Sequence, residues 1–142
     1  MYYYRNQFMV MDTSLHLTYR GNTIDTTTQA KIKVALVESE NYHTLASPPL
    51  FVNKRGRVYD NRLFVNSNLQ AKNEHISSFN EGAVVDVYDL TDGKYHFSFY
   101  VYHYRNTKRM MDFRISGHRM VVLYDKLIRV FDLVPTYFPE HN

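Results

Sequence analysis

The chain has 142 residues, 44% of them hydrophobic and 22% charged, which is enough to bury the core of one ordinary domain. Its net charge of +3 comes from Lys and Arg scattered along the chain, which argues against nucleic acid as a partner. The absence of cysteine excludes disulfides and thiolate metal sites, and no apolar run approaches the ~20 residues of a membrane span.

Thirteen Tyr and nine Phe, against five Gly and no Trp, shift the expectation towards strands, because aromatic side chains suit half-buried pleated surfaces. The opening MYYYRNQFMVMD is interrupted by Arg5, Asn6 and Gln7 and does not read as a secretory signal. In chain order, residues 2–11, 15–21 and 30–38 predict three strands. Residues 51–59, 61–68, 83–90 and 94–102 predict a four-stranded meander, with Asp60-Asn61 and Asp92-Gly93 as hairpin turns. Between its second and third strands lies a polar insertion, 66–82, with only Ile76 and Phe79 as large apolar anchors after residue 70. Three more strands follow at 110–116, 118–125 and 127–134, the first two joined at Gly117-His118. No stretch carries the i, i+3, i+4, i+7 apolar spacing of a helix. Period-2 alternation places Met111, Phe113 and Ile115 on one side of their strand, with Asp112 and Arg114 on the other. It also places Tyr95, Phe97, Phe99 and Val101 on the buried face of theirs.

The strands repeat. NQFMVMD from Asn6, NRLFVNS from Asn61 and HRMVVLYD from His118 share a phrase, and Phe8, Leu63 and Met120 stand 55 and then 57 residues apart. VDVYDL (85–90) and IRVFDL (128–133) follow the second and third copies. Repeated four-stranded antiparallel meanders are the signature of β-propeller blades, whose repeat is roughly 40–50 residues. The expected architecture is therefore all-β, one domain over 1–142, and a partial propeller of about two and a half blades. The blade pieces lie at about 1–38, 51–102 and 110–134, with a tail at 135–142.

At this level VVDVYDLTDGKYHFSFYV (84–101) and MMDFRISGHRMVVLYDKLIRVFDL (110–133) resemble the C-terminal blades of NHL/TolB-like six-bladed propellers of Bacteroidetes type. The resemblance covers residues 50–134 well and 1–38 less well. It implies a propeller with a binding face, an extracytoplasmic setting and, often, no enzymatic activity. A six-bladed member needs about twice this length, so the chain reads either as a C-terminal part of a longer propeller or as a product that assembles with copies of itself.

Chemical motifs are missing: there is no HExxH, GxSxG, P-loop or EF-hand loop, and the seven histidines are dispersed. No cofactor and no metal ligand set is implied, and the balance leans away from an enzyme. Asp86, Asp89 and Asp132 recur within the strand phrases and read as fold residues closing blade ends. The loops expected on one propeller rim collect the candidate binding residues Tyr42, His43, Lys72, Glu74, His75, Tyr102, His103, Tyr104, Arg105 and Lys108. Tyr and Arg are enriched where binding energy concentrates, although Tyr42 and Tyr104 read equally well as sheet caps, and His75 and His103 as solvated loop residues. The expected function is a non-catalytic interaction module for a protein or a glycan. The alternative is a part of an extracytoplasmic propeller hydrolase or lyase. Unpaired edges in the first and last blades predict self-association through them.

Overall fold

The computed structural model describes residues 1–37, 39, 42–105 and 109–138. It is all-β, with eleven strands in four antiparallel sheets and one short helix among the described residues. A two-stranded sheet joins β1 (Gln7–Met11) to β2 (Leu17–Asn22). A separate hairpin joins β3 (Val34–Val37) to β4 (Tyr42–Leu45). The central sheet is the meander β5 (Asn53–Tyr59), β6 (Arg62–Ser67), β7 (Gly82–Asp89) and β8 (Tyr95–Tyr102). The last sheet holds β9 (Asp112–Ser116), β10 (Arg119–Tyr124) and β11 (Leu127–Asp132), with β10 in the middle.

Local turn chemistry accounts for the central and last sheets. Asp60 and Asn61 take φ values of 48° and 55°, the left-handed pair that a two-residue hairpin turn needs between right-twisted strands. Gly117 opens the β9–β10 turn at φ 57°. Between β7 and β8, the Asp89 carboxylate accepts from the Thr91 amide at 2.7 Å and Asp92 accepts from the Lys94 amide at 2.9 Å. Gly93 adopts φ 73° between them, and a β-carbon there would stand 3.0 Å from the Tyr19 ring.

The central sheet is covered on both faces. On one side Phe64, Val85, Val87 and Val101 pack against Phe113, Met120, Val122 and Tyr124 of the last sheet and against Leu133 beyond it. On the other side Leu63, Val65 and Tyr88 meet Phe8 of the first sheet. Alternation makes this possible: Leu63 and Val65 point one way and Phe64 the other. β5 and β9 lie side by side, with the Arg57 guanidinium donating to the Phe113 carbonyl at 3.1 Å and to the Asp112 carboxylate at 2.5 Å. Phe8 lies directly over Gly21, its cross-strand partner, where any β-carbon would meet the ring at 2.2 Å.

Several expectations need correction. The first strand begins at Gln7, because residues 1–6 are tied down outside any sheet: Tyr3 offers its carbonyl to the Val52 and Asn53 amides, and Asn53 donates to the Tyr2 carbonyl. The strand expected at 30–38 shortens to β3 and pairs with β4, a strand the sequence did not suggest, instead of extending the first sheet. That sheet is therefore two strands wide. Although no stretch carries helical apolar spacing, residues Ile76–Glu81 of the polar insertion form the helix α1. Phe113 and Ile115 face the core as expected, but Met111 precedes β9 and is exposed. In β8, Phe97, Phe99 and Val101 face the core, whereas Tyr95 does not. The register slips between Val87 and Tyr88, so His96 is an unpaired bulge residue and Tyr95 turns to the opposite face.

The tail beyond β11 folds back. Phe138 stacks on Phe64 at 6.1 Å between ring centroids and meets Phe97 and Phe99 edge-on. Phe64 is thus enclosed from three directions and is 1% exposed. Phe64→Ala should cost about 3–5 kcal/mol in urea unfolding, whereas Val58→Ala, at an exposed position of β5, should stay within about 0.5 kcal/mol.

Candidate functional site

The two-stranded first sheet covers only the inner half of the central sheet. Over the outer half, the face carrying Asp86, Tyr95, Ser98 and Tyr100 opens into a cleft of about 870 Å³. Its other walls are the loop containing Ile24, Asp25, Thr27 and Lys31, and the insertion from Ser67 to Glu74. The loop is anchored by Asn6, whose side-chain amide donates to the Asp25 carbonyl at 2.5 Å and whose main-chain amide donates to the Thr27 carbonyl at 2.9 Å. The Ile24 amide donates to the Tyr88 hydroxyl at 3.0 Å. On the insertion side, Gln70 donates to the Glu74 carbonyl at 2.7 Å, and the Glu74 carboxylate accepts from the Ala71 amide at 3.1 Å.

A connected polar network lines the floor. Asp86, in the middle of β7, is 3% exposed and accepts a hydrogen bond from the Ser98 hydroxyl, its cross-strand partner, at 2.6 Å. Ser98 shares a second hydrogen bond with the Tyr95 hydroxyl at 2.9 Å. The Tyr100 hydroxyl donates to the Glu74 carboxylate, which pushes Tyr100 up to about 12. Asp86 is raised above the usual carboxylate range, chiefly because burial strips its hydration. The Ser98 hydrogen bond opposes the shift and the nearby Glu74 carboxylate adds to it. Burial also raises Tyr88, beside Asp86. A charge-bearing group held in this state costs stability, a pattern that clusters at functional sites.

The structure separates most of the residues singled out from sequence. Lys72 and Glu74 do line the cleft. His75 instead caps α1, its Nδ1 accepting from the Ser77 amide. Tyr42 and His43 sit on β4, away from the cleft walls. Tyr102 stacks on Tyr100 at 6.0 Å but lines a different, apolar groove. Tyr104 packs against the core with the Arg105 and Arg129 guanidiniums over its ring at 5.2 and 5.5 Å. The Nδ1 of His103 is buried without a partner among the described residues, and its basicity is lowered by desolvation and by the Arg109 and Lys54 cations. Lys108 lies outside the described residues.

Asp86, Tyr95, Ser98 and Tyr100 are the residues that sequence reasoning missed. Asp86, expected from its strand phrase to close a blade end, lies mid-strand and faces the cleft. Asp89 does close a strand end, through Thr91. One signal was present: Asp86, Ser98 and Tyr100 alternate with Val85, Val87, Phe97 and Phe99, so they mark a polar strip on a face that a stacked sheet would bury. Groups of His, Asp and Glu placed to hold a metal ion do not occur among the described residues. Comparison with known proteins finds no matching family model, curated protein or solved structure.

The Asp86 shift has a definite sign. With its folded pKa above the unfolded value, the group's contribution to stability is full at acid pH, below the unfolded value, and is lost as pH rises through the folded one. Asp86→Asn keeps an acceptor for Ser98 and removes the buried charge. Its melting temperature relative to the parent should therefore be higher at pH 7 than at pH 4, as measured by thermal unfolding at both.

Proposed function

We propose that the chain is a non-catalytic binding module built from propeller-type blades, about two and a half in number, and that the polar cleft holds a glycan. The stacking of three antiparallel sheets face to face, with β5 beside β9, supports the blade reading. The ligand class rests on one observation: a nearly water-free carboxylate, Asp86, set among the hydroxyls of Ser98, Tyr95 and Tyr100 and the Glu74 carboxylate in an open cleft. Closely spaced donors and acceptors beside aromatic rings match the hydroxyls and C–H faces of a sugar. Titration with neutral oligosaccharides should shift the amide signals of Asp86, Ser98 and Tyr100. Asp86→Asn should weaken that binding about tenfold or more, since a hydrogen bond to a charged group is worth roughly 1.5–3 kcal/mol. Shifts produced by peptides and not by sugars would move the reading to a protein ligand.

A second reading, part of an extracytoplasmic propeller hydrolase or lyase, is favoured by the raised Asp86 beside a second carboxylate, Glu74, as a general acid requires. Turnover of such an oligosaccharide, abolished by Asp86→Asn, would establish it.

We further propose that copies of the chain associate through their terminal sheets. The outer face of β9–β11 leaves Leu123, Ile128 and Val130 exposed, with Arg119 and Asp132 paired at its margin at 3.5 Å. An uncovered apolar sheet face bordered by both signs of charge suits a two-fold contact. Sedimentation at micromolar concentration should show a dimer, and a monodisperse monomer would refute the association.

A further inference from the structure

The last sheet is one strand narrower than the central sheet on which it packs. Where a fourth strand would lie, an apolar groove of about 670 Å³ runs between the free edge of β11 and β8. Phe97, Phe99 and Val101 line it from one side and Arg129 and Phe131 from the other, and Phe138 reaches in from the tail. The main chain of β11 has no hydrogen-bond partner on this side among the described residues, and an unpaired edge of this kind templates another strand.

Elsewhere in the chain stands a hairpin with the opposite deficit. In the β3–β4 hairpin, Val34 pairs with Leu45 and Leu36 with His43, so Val34, Leu36 and Leu45 share one face. They are 60%, 51% and 52% exposed. Among the described residues, no hydrogen bond joins either strand to another element, and the hairpin is closed at its base by the Ala46 amide on the Lys33 carbonyl at 2.8 Å. A two-stranded hairpin exposing its apolar face is marginally stable alone.

We infer that the β3–β4 hairpin is an exchange arm, whose β3 strand enters the groove beside β11 of a second copy of the chain. This rests on the self-association proposed above, with the arm and not the outer sheet face as its main contact. An antiparallel register fits both charge and face. Lys33 falls opposite Asp132, whose side chain is 78% exposed and has Arg119 at 3.5 Å on its other flank. Val34 then pairs with Phe131 and Leu36 with Arg129, two residues that line the groove, so the exposed apolar face of the arm lies beside Phe138 over the parts of Phe97 and Phe99 that the tail leaves open. Ala35 and Val130 pair on the outer face. Two-fold symmetry makes the exchange reciprocal, so each copy fills its partner's groove and has its own filled.

The absence of cysteine gives the arm a direct test. Opposed residues of antiparallel neighbours stand roughly 4.5–5.5 Å apart, within disulfide range. An equal mixture of Ala35→Cys and Val130→Cys chains, mildly oxidised, should yield the mixed disulfide in at least about fivefold excess over either homodimer, where random pairing gives about twofold. In parallel, the double variant Val34→Asp/Leu36→Asp, whose side chains touch little of their own chain, should unfold thermally like the parent yet sediment as a monomer. A parent that assembles while the double variant assembles equally well, or while no mixed disulfide forms, overturns the arm but leaves association through the outer sheet faces standing. A monomeric parent overturns both.

Discussion

Burial of both faces of the β5–β8 sheet is the constraint on which the rest of this molecule depends. A sheet with apolar side chains pointing both ways cannot rest on a single layer. Phe64, Val85, Val87 and Val101 require the last sheet, and Leu63, Val65 and Tyr88 require the first. Each outer sheet then needs only one apolar face of its own, which is why Phe8 and Val10 on one side, and Met120, Val122 and Tyr124 on the other, suffice to hold the stack. At roughly 1.5–3 kcal/mol for each large apolar side chain removed from water, these two interfaces outweigh any single polar contact in the structure.

The widths of the three layers differ, and the differences create the two cavities. The first sheet has two strands against four, so the outer half of the facing surface is left to polar residues and becomes the Asp86 cleft. The last sheet has three against four, and because the uncovered strip there is aromatic, the space becomes an apolar groove. Side-chain alternation along β8 assigns the two chemistries: Ser98 and Tyr100 to the cleft, Phe97 and Phe99 to the groove. One strand thus serves two surfaces of opposite character.

Within the cleft, the cost of burying Asp86 is only partly offset. Ser98 supplies one hydrogen bond to its carboxylate, and the Glu74 charge works against its ionisation. Packing elsewhere must hold the group in place, and the anchoring of Asn6, Asp25 and Ile24 against Tyr88 does so from the opposite wall. The cleft is therefore a sheet floor between two walls that are each held by hydrogen bonds.

The repeated phrases and the Asp60-Asn61, Gly93 and Gly117 turns were enough to place the seven strands of the central and last sheets, because period-2 alternation and left-handed turn residues are local properties of the chain. The polar strip of Asp86, Ser98 and Tyr100 was also written there, though its meaning was not. Four features depended on the tertiary structure. The slip at His96 that turns Tyr95 into the cleft is a register decision made between two strands. The pairing of β3 with β4 and not with β2, together with the fold-back of Phe138, reflects competition among distant surfaces for the same edges and gaps. The dispersal of Tyr42 and His43 to β4, His75 to the α1 cap, Tyr102 to the apolar groove and His103 to a site that buries its Nδ1 has the same origin. Spacing along a strand fixes which face a side chain takes, but only the stacking of sheets decides what lies opposite that face, and a site exists only where two such faces are left to meet.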